Sequence, residues 1–79
     1  MKNNVCLLIV NMVTDDTGKS YKGATVYTHA DRFCDIGPIL DKWPNRLAVR
    51  VCPTLSDAKA CAALEEATRY PVQVIRNGL

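Results

Sequence analysis

Residues 5–13 read Val-Cys-Leu-Leu-Ile-Val-Asn-Met-Val, and no other stretch limits the possible folds as strongly. Seven of these nine side chains are aliphatic or thioether, in a nearly unbroken run rich in strand-forming residues. Such a run has almost no polar face to turn toward water. It predicts a central strand covered on both faces, or covered on one face with an apolar back. It is far shorter than the ~20 apolar residues that a membrane-spanning helix needs. Lys2 ahead of the run gives it the onset of a secretory signal. Asn11 interrupts it, however, Asp15 and Asp16 close it, and no small-x-small cleavage site follows. The segment therefore reads as a buried strand in a cytoplasmic protein without membrane contact.

The rest of the chain arranges itself around that strand. Residues 14–20 (Thr-Asp-Asp-Thr-Gly-Lys-Ser) are turn chemistry, with Gly18 free to take a positive φ. Residues 21–28 read as a second strand that forms a hairpin with the first. Tyr21, Thr25 and Tyr27 share one face, and Ala24 and Val26 the other. Residues 29–44 have no clean period. Pro38 suits the first turn of a short helix over 39–43, Pro44 ends it, and Trp43 reads as a core plug there. In residues 46–52, Leu47, Val49 and Val51 alternate with Arg46, Ala48 and Arg50, the pattern of a half-buried strand.

Thr54 with Asp57 three residues on is a helix-start signal. From there Ala60, Ala63, Leu64, Ala67 and Tyr70 recur at helical spacing, predicting one long helix over 55–69. Glu65 and Arg69 stand four apart as a favourable pair on its outer side. Pro71 stops it, and residues 72–76 form a last strand with Val72 and Val74 inward. The predicted architecture is a single α+β domain over residues 1–79. It has about four strands in a mostly antiparallel sheet, one long helix packed on one face, and the element order ββ(short α)βαβ.

Length and charge narrow the functional classes. Seventy-nine residues leave no room for separate cofactor and substrate domains, and no cofactor is expected. The net charge of +2 is too small for the footprint of a strong nucleic-acid binder. Cys6, Cys34, Cys52 and Cys61 contain no Cys-x-x-Cys spacing, so they read as free thiols rather than metal ligands.

Two motifs imitate chemistry. Gly18-Lys19-Ser20 has the end of a phosphate-binding loop, but the first glycine of that motif falls on Val13, and a strand rather than a helix follows. His29, Asp31, Cys34 and Asp35 gather reactive types in one segment. The plainer reading is a polar connector with Phe33 and Cys34 turned inward. The chain is thus expected to be non-enzymatic.

The outward sheet face is the more informative feature. With the long helix over Leu47, Val49, Val51, Val72, Val74, Ala24 and Val26, the reverse side carries Tyr21, Thr25, Tyr27, Arg46, Arg50 and Gln73. Tyr and Arg are enriched at interface hot spots, so Arg46, Arg50, Tyr21, Tyr27 and Gln73 are the candidate partner-binding residues. Aromatics beside arginines also suit single-stranded nucleic acid, but neither an RNP-type motif nor a concentrated basic run is present. A protein partner is favoured, bound by a monomer or a homodimer.

The phrase Thr54-Leu55-Ser56-Asp57-Ala58-Lys59, followed by an alanine-rich helix and a strand, resembles small phage-encoded anti-CRISPR proteins. In these a curved antiparallel sheet cradles one helix. The shared features are a similar overall length, the strand–helix–strand order of residues 46–76 and this helix-opening phrase, so the resemblance rests on about 30 residues. It implies an inhibitor acting in the host cytoplasm. Such an inhibitor docks by charge and shape on a CRISPR ribonucleoprotein and blocks the path of guide RNA or target DNA. The family has no common active-site motif, so the resemblance assigns no residue here.

Overall fold

The computed structural model describes residues 4–77. Lys2, the charged part of the signal-like start, lies outside the described residues. Two long strands, β1 (Asn4–Thr14) and β2 (Ser20–Asp31), pair antiparallel from Thr14 opposite Ser20 to Asn4 opposite Asp31. The register shifts between Val5 and Leu7, where β2 carries one extra residue. His29 absorbs that bulge at φ +59°. A short helix α1 (Ile36–Asp41) leads to β3 (Ala48–Cys52), which pairs antiparallel with β1. Helix α2 (Leu55–Leu64) then carries the chain to β4 (Gln73–Arg76), which lies parallel to β2. The spatial order is β3-β1-β2-β4, so α2 and the segment after it cross the sheet from one edge to the other.

The α+β class and the order ββαβαβ agree with the sequence reading. Three finer features differ. The sheet is mixed rather than mostly antiparallel, because β4 returns parallel to β2. The main helix is ten residues long and ends at Leu64, not near Arg69. The face expected to be open is covered as well. Ile39, Ile36, Leu40 and Trp43 from α1 and its exit pack on Val5, Leu7, Ile9, Tyr27 and Ala30. On the opposite face Ala58 and Ala62 of α2 pack on Cys6, Leu8, Val10, Ala24, Val26 and Cys52. The run in β1 is apolar at consecutive positions because it is central and covered on both sides. Among the described residues no helix is long and apolar enough to cross a membrane.

Four expectations about side-chain direction are overturned by this packing. In β3, Ala48 and Cys52 face α2, while Val49 packs on the α1 side and Leu47 and Val51 are exposed. In α2 the inward stripe runs through Leu55, Ala58, Cys61 and Ala62; Ala60 and Ala63 are exposed, and Leu64 is 82% exposed. Val74, expected inward, is exposed on the edge strand β4. Phe33 is 77% exposed and Cys34 is exposed, so neither enters the core.

Candidate binding cleft

The hairpin outruns the rest of the sheet. Strand β3 stops opposite Val10 and β4 begins opposite Thr25, so residues 11–24 project as a two-stranded arm. Asp15 stiffens its tip by accepting from the backbone N–H groups of Thr17 and Lys19 and from the Thr17 hydroxyl, at 2.6–3.0 Å. The Thr17 hydroxyl bond foremost holds the Asp15 carboxyl below its ordinary range. Gly18 takes φ +86° in the same turn, so the residues that imitated a phosphate loop are accounted for by hairpin geometry.

Where the arm meets the body, on the face that α1 covers, lies an open cleft of about 230 Å³. Asn11, Thr25 and Gln73 supply its polar groups, and Trp43 and Tyr70 its aromatic walls. A second cleft of about 300 Å³ adjoins it across Asn11 and Trp43, with Lys42, Asn45 and Arg46 in its lining. No carboxylate lines either cleft. Gly23 permits the shape of the first: a Cβ there would stand 2.6 Å from Cγ2 of Val13.

Each wall is held in place. The Trp43 indole Nε1–H donates to the Tyr27 hydroxyl at 2.9 Å, which fixes the ring at the exit of α1. Tyr70 meets Tyr21 edge to face, with ring centroids 6.0 Å apart and planes at 82°. The Arg69 guanidinium sits 4.9 Å from the centre of the Tyr21 ring. The Thr25 hydroxyl donates to the Gln73 side-chain oxygen at 3.3 Å, which leaves the amide nitrogen of Gln73 as a donor.

The five sequence candidates divide. Gln73 lines the cleft, and Tyr21 supports its wall from beside Tyr70. Tyr27, expected to point outward, is only 5% exposed and serves as the post beneath Trp43. Arg46 lines the second cleft, but its Nη1 donates to the carbonyls of Leu40 and Trp43 and so caps α1. Arg50 stands apart from the other four. It lies on the α2 face, and its guanidinium pairs with Glu65 at 2.7 Å, replacing the Glu65–Arg69 pair expected within the helix. Trp43, Tyr70 and Asn11 were not read as site residues. Pro44 directly after the single tryptophan is the one local signal, since it forces the chain out of helical geometry at Trp43.

The cluster at residues 29–35 is tied into local hydrogen bonds. Asp31 accepts from the backbone N–H groups of Phe33 and Cys34, and Asp35 accepts from the Asp31 N–H and the Asn77 amide. His29 contacts Thr28. Lost hydration and then the nearby carboxylates push the Cys34 thiol up, the opposite of an activated nucleophile. Among the described residues no group of three or more His, Cys, Asp or Glu is arranged to hold a metal ion.

Comparison with known proteins yields no match for this chain, whether with family models, curated proteins or solved structures.

Proposed function

We propose that this is a small non-enzymatic binding protein that occludes a surface of a larger partner, and that the paired clefts around Trp43 are its contact site. The observation that carries this reading is the combination of two fixed aromatic walls with amide and hydroxyl groups on one open face. Rigid aromatics contribute apolar area at little entropic cost, and amides match the backbone of an extended peptide. Lys42 and Arg46, with no carboxylate in the linings, favour an acidic partner segment. The CRISPR ribonucleoprotein implied by the resemblance is the first partner to assay, in the host cytoplasm.

The test uses Trp43, the single tryptophan, as its own reporter. Partner binding is expected to change its fluorescence. The double variant Tyr70→Ala, Gln73→Ala should weaken binding about tenfold or more while keeping the fold. Undiminished affinity in that variant refutes this site.

A second reading rests on the Tyr21–Arg69 stack beside Tyr70 and Trp43, an arrangement that also suits stacked bases. It predicts quenching of Trp43 by short single-stranded oligonucleotides, fading steeply with salt. Absence of quenching at low salt eliminates it.

A further inference from the structure

Three of the four cysteines, distant in sequence, converge under α2. Cys6 and Cys52 are direct cross-strand partners on β1 and β3, and Cys61 of α2 packs against the same cluster. The sulfurs of Cys52 and Cys61 are in contact, 3.9 Å apart. Cys52 is buried, whereas Cys61 is partly open to solvent at the rim. The spacing of nine residues between them spans a tight connection through Pro53 and Thr54 into the helix.

We propose that Cys52 and Cys61 form a dithiol site that a peroxide closes to an intramolecular disulfide, stapling the edge strand β3 to α2. The two sulfurs must approach by about 2 Å to reach the usual ~2.05 Å bond. Cys61 is the thiol that an oxidant reaches. Its thiolate displaces hydroxide from hydrogen peroxide to give the sulfenic acid. The Cys52 sulfur then attacks that sulfur and expels water, losing its own proton. Two thiols and one peroxide give one disulfide and two waters; both sulfurs are oxidised and the peroxide oxygens are reduced. Burial supplies selectivity. Cys52 is buried and burial pushes its thiol up, so the partly open Cys61 is the thiol that meets the oxidant first.

Oxidation restricts the freedom of the edge strand β3, on which Val51 is exposed. Neither Cys52 nor Cys61 lines the clefts around Trp43, so this site is separate from the proposed partner contact.

The experiment treats the Cys34→Ser variant with stoichiometric hydrogen peroxide, removing the exposed thiol that would link two molecules. Intact mass should fall by about 2 Da per chain with no dimer. Peptide mapping should recover residues 52 and 61 in one linked fragment, and the melting temperature should rise by several degrees, as closing a short loop predicts. The further change Cys61→Ser should abolish the mass loss. A disulfide joining Cys6 to either partner, or sulfinic acid at Cys61 in place of the linkage, overturns the proposal.

Discussion

Glu66 takes φ +58°, a left-handed conformation that costs any residue with a Cβ. It holds this position because the Ala67 N–H reaches back to the carbonyl of Ala62 at 2.9 Å and its own N–H to that of Ala63, closing α2. Its side chain is exposed and does nothing in the cap. Glu66→Gly should therefore stabilise the protein by about 0.5–1 kcal/mol in urea unfolding; a loss of stability would show that the strain is absent. This left-handed turn ends α2 at Leu64, short of the Arg69 that the alanine periodicity predicts. Leu-Glu-Glu-Ala contains no glycine or proline, and the stop is imposed by where the chain must go next, toward the far edge beside β2. Glu65 is likewise diverted from Arg69 to Arg50. The Arg50 end of that pair is half exposed, so solvent screening keeps its contribution to stability small.

Helix α2 shows which properties of an element a sequence can and cannot carry. Its start is local: the Thr54 hydroxyl accepts from the Asp57 N–H at 3.1 Å and donates to its carboxylate at 3.0 Å, as the spacing predicts. Its rotation is not local. Leu-Ser-Asp-Ala-Lys-Ala-Cys-Ala-Ala-Leu has small residues on nearly every side, so several faces are equally able to approach a sheet. Packing selects Ala58 and Ala62, both fully buried. Ala62→Leu should cost about 1–3 kcal/mol through overpacking, whereas Ala63→Leu, on the side that periodicity favoured, should change stability by less than about 0.5 kcal/mol. Comparable costs at both positions would contradict this orientation. The alternation in β3 was just as visible and just as ambiguous. Both faces of the sheet are roofed, so Val49 and Ala48 each find a core, and Arg50 escapes past the end of α2.

The molecule as a whole measures 46 × 24 × 20 Å, elongated along the hairpin, with one core on each side of β1. The thiol cluster in the α2-side core makes its stability sensitive to alkali. Burial first, and then hydrogen bonding to Cys61, pushes Cys52 from 9.0 up to about 11, and burial also raises Cys6. The folded state holds its proton longer than the unfolded chain does. The stabilisation is thus fully present below pH 9 and is lost as pH rises toward about 11. Melting temperatures across that window should fall more steeply for the wild type than for Cys52→Ala; parallel profiles would show that the thiol is not shielded. Convergence of Cys6, Cys52 and Cys61 was invisible in spacings of 46 and 9 residues, because only strand pairing and helix docking bring them together.

Short-range chemistry in the chain determined its elements: a nearly unbroken apolar run that makes a central strand, a glycine turn, a capped helix start and Pro53 directly after β3. Those signals act within a few residues and need no partner. The tertiary structure decided which way each element faces, how β4 returns, and that α1 roofs the second face and brings Trp43 to Tyr70 and Gln73. A period-two strand and an alanine-rich helix each admit two packings of nearly equal local energy. The choice between them is made only when both sides of β1 must be sealed at once.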